Sequence, residues 1–392
     1  LANWRRIILG VAVTDTITAF STWGYLPMSA LSRFPAAVML SMIAVAPLGQ
    51  AQAADIPPKY KAAKAVPDLP FFLVNDNRFT YAYIFSGTNP GAYSFRPDGS
   101  INGKTAKQVV AFTHFDVWAY GTNFFNIAAF KSGHNDPAAP CTGPGNILGV
   151  AADCAGATEI YGLFRSTIGF NEVFNTKAFS YGPLRNVSFQ FGADANTENT
   201  YLAPAKKDIV VGLQFAFELP YKGYLNVSPL YYKEWNHNGF LQCGSPTNGG
   251  VPGISCLSDG NTEYNGTWAV ETNYYMDLGF LPESMQYFSI SGRAGWYGKK
   301  GDQNAPLPAG LGTGTAVELN AEPIRLTFDA SKLMWGPKYS HFVDVWVAYR
   351  YWQNKFGLDH AASPGICTVA GTGQSTNTCT EQSAYAGVTV KF

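Results

Sequence analysis

Downstream of residue 53 the chain has no run of 18 consecutive apolar residues, so that part offers no membrane-spanning helix. What recurs instead is a segment of about 9–12 residues with period-two alternation, the length a tilted strand needs to cross a bilayer. Across Ile209-Val210-Val211-Gly212-Leu213-Gln214-Phe215-Ala216-Phe217-Glu218-Leu219 every odd position is large and apolar, while Gly212, Gln214, Ala216 and Glu218 hold the other face. The same period runs through Val343-Asp344-Val345-Trp346-Val347-Ala348-Tyr349-Arg350-Tyr351 and through Trp268-Ala269-Val270-Glu271-Thr272-Asn273-Tyr274-Tyr275-Met276-Asp277-Leu278. A soluble sandwich would turn its apolar face into a core, whereas an outer-membrane barrel turns it toward lipid and lines its lumen with the polar face. Three features favour the barrel. Aromatics crowd the strand ends (Tyr231, Tyr232, Trp235; Trp296, Tyr297; Tyr351, Trp352), where an interfacial girdle belongs. Loops alternate short and long, and the last strand ends on Phe392. Composition agrees: charged residues make up 14%, against about 25% in an average soluble protein. Lys+Arg and Asp+Glu both number 27, which argues against a nucleic-acid partner.

Candidate strands fall near 77–86, 108–119, 123–131, 157–168, 184–195, 208–219, 223–235, 265–278, 286–298, 315–328, 341–353 and 382–392. The expected fold is therefore all-β, a 12-stranded antiparallel transmembrane β-barrel with both termini in the periplasm. Long extracellular loops follow near 87–107, 132–156, 196–207, 236–264, 299–314 and 354–381. Pro323 interrupts the tenth strand where apolar parity switches from Val317 and Leu319 to Ile324, Leu326 and Phe328, which predicts a bulge.

Residues 28–53 read as a secretory signal peptide: Arg33, an apolar run over 34–46, then Ala51-Gln52-Ala53 as the cleavage pattern. Residues 1–27 are expected to be an upstream over-extension, 54–76 a periplasmic tail rich in Ala, Lys and Pro, and 77–392 the barrel. Export places Cys141, Cys154, Cys243, Cys256, Cys367 and Cys379 in an oxidising space, where an even count reads as disulfides. Successive separations of 13, 13 and 12 residues favour the local pairs 141–154, 243–256 and 367–379. All three pairs fall in predicted extracellular loops. No C-x-x-C and no histidine at ligand spacing supports a metal site, and no cofactor is expected.

Four stretches resemble the nucleoside-specific channel-forming outer-membrane proteins, the Tsx family. They are Phe179-Ser180-Tyr181-Gly182-Pro183-Leu184-Arg185, Tyr231-Tyr232-Lys233-Glu234-Trp235-Asn236, Val347-Ala348-Tyr349-Arg350-Tyr351-Trp352-Gln353, and the final strand with its aromatic end. The resemblance implies a narrow monomeric barrel that passes nucleosides by diffusion through weak internal sites. The long cysteine-bracketed loops depart from that family's pattern.

Parity places Glu159, Tyr161, Arg165, Gln214, Tyr232, Glu234, Glu271, Asn273, Tyr275, Ser291, Arg293, Tyr297, Asp344, Arg350 and Trp352 toward the lumen. Aromatic faces can stack a base and polar groups can exchange hydrogen bonds with ribose, provided that binding stays weak enough for release. The bland alternative is that Arg165, Arg293 and Arg350 pair with Glu271 and Asp344 to fill a small barrel. Catalysis is not expected. His114 faces the lumen by parity beside Asp116, with no serine placed as its nucleophile, and His134, His237 and His360 lie in or beside loops. The expected partners are outer-membrane lipid and lipopolysaccharide, small polar solutes (nucleosides by the resemblance), and the barrel-assembly machinery through the strand ending at Phe392. A second function class is a closed surface barrel acting as a structural protein, adhesin or receptor through its loops.

Overall fold

The structure is a computed structural model that describes residues 70–133, 136–137, 156–199, 204–237, 242–244, 256–301 and 316–392. The segments expected as over-extension, signal peptide and most of the tail lie outside the described residues, as do Cys141 and Cys154.

Twelve long strands follow one another: β1 Phe72–Gly87, β2 Thr105–Trp118, β3 Gly121–Ser132, β4 Thr158–Gly169, β5 Leu184–Glu198, β6 Ala205–Leu219, β7 Gly223–His237, β8 Thr267–Asp277, β9 Phe288–Tyr297, β10 Glu318–Asp329, β11 Val343–Gln353 and β12 Thr380–Lys391. Each pairs antiparallel with the next, and β12 pairs with β1 from Arg78↔Lys391 to Ile84↔Tyr385, which closes the sheet into a barrel. Closure leaves no free edge, so every strand finds ladder partners on both sides, as hydrocarbon requires. β1 starts at Phe72, five residues before the expected boundary, because the Asn75 and Asn77 backbone still ladders with Asp116 and His114 of β2.

Alternation fixes which face is which. On β1, Phe79, Tyr81, Tyr83 and Phe85 are exposed while Ala82 and Ile84 are buried. Likewise Ile209, Val211 and Leu213 of β6 and Val345, Val347 and Tyr349 of β11 point outward. A soluble monomer rarely exposes so continuous an apolar band.

The bulge at Pro323 is present. Gly292 of β9 faces two residues, because the register steps from Ser291↔Arg325 to Arg293↔Glu322. Across β11 it steps from Ala321↔Tyr351 to Ile324↔Tyr349. At the end where β1 starts and β12 finishes, called the terminal end below, the turns are short, and two hold helices, α1 (Phe170–Val173) and α2 (Ala330–Trp335). Asp329 caps α2 by accepting the Lys332 amide at 2.8 Å. At the opposite end, disulfides join Cys243 to Cys256 and Cys367 to Cys379 with Cα separations of 5.0 and 5.4 Å.

Candidate functional site

The residues read from parity as lumen-facing all lie on the inner face by register. Ladder partners share a face, and Glu159, Tyr161, Arg165, Gln214, Tyr232, Glu234, Glu271, Asn273, Tyr275, Ser291, Arg293, Tyr297, Asp344, Arg350 and Trp352 connect through partners such as Ala269↔Tyr297 and Ser188↔Gln214. Their contacts divide the interior into three levels.

At mid-height, Arg165 of β4 reaches across the lumen to β8. Its guanidinium donates Nε to Glu271 Oε2 at 2.9 Å and Nη2 to Oε1 at 2.7 Å, and also bonds Asp194. Tyr297 donates to Glu271 at 3.1 Å, Tyr161 to Asp194 at 2.9 Å, and Gln214 to Gln190 at 3.0 Å. A bidentate guanidinium–carboxylate pair has a fixed geometry, so this forms a bar across one side of the lumen. Pairing to Glu271 therefore holds for Arg165. Arg350 instead pairs with Glu381 at 3.1 Å, and Asp344 accepts from His341 at 3.0 Å. Arg293 is exposed, forms no hydrogen bond or ion pair among the described residues, and lies on the inner face opposite Asn273.

The wall made by β11, β12, β1, β2 and β3 has a different chemistry. Ala82, Ile84, Val109, Ala111, Ala128, Trp346 and Ala348 form one buried apolar cluster, with Phe130 and Tyr385 packed on it. Arg325 lies 3.9 Å over the Trp346 ring, and Trp346 donates Nε1 to Thr389 at 3.0 Å. The lumen is amphipathic in cross-section, with one apolar and aromatic wall facing a wall of charges and amides. Single-strand parity does not reveal this, because it emerges only when strands distant in sequence close into one ring.

Toward the loops, carboxylates and cations interleave. Glu381 pairs with Lys355 at 2.8 Å, Lys107 with Glu159 at 3.5 Å, and Glu234 with Lys300 at 2.5 Å. Burial pulls the Lys355 ammonium below the usual lysine range, opposed by the nearby Glu381 charge. Phe356, Leu358 and Ile366 of the loop after β11 roof a cavity of ≈ 120 Å³, whose walls include Asn196, Asn236, Thr262, Trp352 and Glu198. At about 10–15 Å³ per water on this measure it has room for roughly ten waters, or one small organic solute. Lys107, Lys355, Glu381, Asn196 and Asn236 are absent from the sequence-derived set. Those in strands carry the inward parity of their neighbours and could have been found from it.

At the terminal end, Asp76 accepts from Arg78 Nε at 2.6 Å and from Lys391 at 2.7 Å, tying β1 to β12. His341, Asp329 and Asp344 lie close enough to suggest a metal triad. Asp329 is already spent, however: it accepts from Ser331, Ser340 and the amides of Lys332 and His341 at 2.6–2.8 Å, so it organises the turn. His341 is held above the usual histidine range by its hydrogen bond to Asp344, with further help from the Asp344, Asp329 and Asp277 charges.

One expectation is corrected. His114 faces outward, because its ladder partners are Asn77, on the face of exposed Phe79, and exposed Phe125. There it bonds Asn77 at 2.8 Å and Asp116 at 3.1 Å, while Asp116 accepts from Asn123 at 2.9 Å and Asn123 from Ser166 at 2.7 Å. Both ring nitrogens are engaged, by Asn77 and Asp116, so His114 and Ser166 do not form a nucleophile–base pair.

No protein-family model matches the chain and no curated protein does, so the likeness to the nucleoside channels rests on the four short motifs alone. Among solved structures the chain is similar to an outer membrane channel from Pseudomonas putida F1, at 11% identity and TM-score 0.40, covering 86% of this chain and 100% of that one. It is also similar to the translocator domain of the autotransporter NalP from Neisseria meningitidis (10%, TM-score 0.36, covering 81% and 89%). A third is a Pseudomonas aeruginosa FadL homologue (8%, TM-score 0.34, covering 81% and 89%). Overlap this loose says nothing about what passes through the lumen.

Proposed function

We propose that the protein is an outer-membrane channel for the diffusion of small polar solutes that carry a flat apolar face, nucleosides foremost. The observation that carries this reading is the amphipathic lumen inside an apolar outer band: the partly buried Tyr385 and Phe130 on one wall, Arg165, Glu271, Gln190 and the exposed Arg293 on the other. A planar base can slide along the first wall while ribose hydroxyls exchange partners on the second, and no single strong site has to be left behind. The outer band meets lipid and lipopolysaccharide, and the exposed terminal Phe392 is the handle for barrel assembly. The closed sheet leaves no edge for self-association, in keeping with a monomer.

Single-channel conductance of the folded protein, titrated with nucleosides and then with sugars, tests this. Saturable block by nucleosides and not by sugars is the expected result. A second reading, a closed surface barrel that works through its disulfide-clamped loops, is favoured by the Arg165–Glu271 bar and by the roof of Phe356, Leu358 and Ile366. Silent bilayers from correctly folded protein would select it.

A further inference from the structure

We propose that the helical turns α1 and α2 are a lipid-binding surface, two apolar feet that seat the barrel in the phospholipid leaflet at its terminal end. The proposal holds whether or not the lumen conducts. A short helix on a protein surface normally turns its apolar side chains toward the core. α2 does the opposite: Ser331 is 0% exposed, while Leu333, Met334 and Trp335 are 54%, 58% and 52% exposed. Hydrogen bonds build this inversion in. Ser331 Oγ accepts the amides of Phe342 and Val343 at 3.0 and 2.9 Å and donates to Asp329 at 2.8 Å. Polar side chains thus hold the turn to the barrel, and three consecutive large apolar ones are left facing away from it.

Continuity with the outward apolar band says what covers them. Next to α2 that band stays apolar to the strand ends, where Phe328 stands opposite exposed Val345. The Phe328 ring meets Tyr287 at 6.4 Å, and Lys332 Nζ lies 5.6 Å over Tyr287, so α2 begins beside the outward row. Trp335 then meets Tyr339 and Phe342 edge-on at 6.2 Å each, and Lys338 lies 5.8 Å from the Tyr339 ring. Aromatic rings edged by lysines suit the bilayer interface, and an apolar helix face placed there buries itself at the boundary of headgroups and acyl chains. α1 repeats the arrangement. Asn171 ties its turn together, accepting the Phe179 amide at 3.0 Å and donating to Ser180 at 2.8 Å. Val173 and Phe174 stay exposed, with Phe174 packed on Phe170 and Phe179 at 6.1 Å. α1 joins β4 to β5 and α2 joins β10 to β11, so they stand six strands apart in a ring of twelve, on opposite sides of the barrel. Two opposed interfacial contacts fix both height and tilt, which a single one would not.

The test is tryptophan fluorescence of the protein folded into phosphatidylcholine vesicles and into vesicles of the same lipid brominated on its acyl chains. The difference between the unsubstituted protein and Trp335→Phe isolates the Trp335 emission. Most of that emission should be lost in brominated vesicles, more with bromines high in the acyl chain than with bromines near its end. Aqueous iodide should leave it largely unquenched. Phe174→Trp, made in the Trp335→Phe background, should report the same for α1. Both substitutions fall at exposed positions, where folding is retained, and gel mobility checks that it is. Trp335 emission quenched by iodide and untouched by bromine would overturn the proposal and leave these turns to a protein partner in the aqueous phase. The same behaviour from Phe174→Trp alone would overturn the two-sided seating. Conductance does not enter the readout, so a silent channel leaves the feet standing.

Discussion

Arg165 and Arg293 both place one positive charge in the lumen, yet their surroundings predict opposite consequences for their removal. Arg165 is 12% exposed and bonds Glu271 and Asp194, themselves 17% and 9% exposed. Replacing it with Met leaves two partly buried carboxylates without their cation. At an effective dielectric of about 20, a pair 4 Å apart is worth about 4 kcal/mol, and breaking a buried pair costs about 3–5 kcal/mol. Arg165→Met should therefore lower unfolding free energy by about 3–5 kcal/mol, whereas Arg293→Met, at an exposed position, should stay within about 0.5 kcal/mol. Both remove one charge, so both should shift the reversal potential in a salt gradient toward cations. Only Arg165→Met removes the bar, so only it should raise conductance. Urea unfolding followed by gel mobility, with bilayer recordings on the same preparations, separates these effects. Equal stability loss from both variants, or none from Arg165→Met, would refute the claim that the bar is a structural ion pair.

Three further outcomes follow from other parts of the barrel. Because His341 is raised in the folded state, its contribution to stability is complete below the unfolded value near 6.5 and is lost as pH rises through the folded value. The urea midpoint should fall over that window, and His341→Gln should remove that part of the pH dependence. A Cβ at Gly387 would sit 2.4 Å from the Trp346 ring, so Gly387→Ala should cost about 1–3 kcal/mol by thermal unfolding. Opening the Cys367–Cys379 clamp, whose cysteines are 12 residues apart, should cost about 3 kcal/mol of loop-closure stabilisation. Reduction should also increase gating noise, because the same loop roofs the cavity.

Strand parity was legible because a strand has a fixed period and lipid enforces it on one face, as Ile209, Val211 and Leu213 show. Pro323 was legible for a related reason, since a residue without an amide hydrogen marks where the ladder must step. Pairing across the lumen was not, because Arg165 and Glu271 lie four strands apart and meet only through the closure and tilt of the ring. His114 shows where parity itself loses its hold. Around residues 112–117 both faces mix aromatic and polar side chains, and Asn75, Asn77, His114, Asp116 and Asn123 share one outward polar row near the terminal end. Such a row lies where hydrocarbon gives way to headgroups and water, so lipid no longer selects apolar residues there. The alternation that locates the membrane thus fades at its boundary, and only the register to Phe79 and Phe125 decides the face. The same reasoning sets the functional reading. Charges that pair across the ring, as Arg165 and Glu271 do, hold the barrel's shape, and the proposed solute path is left to groups such as exposed Arg293.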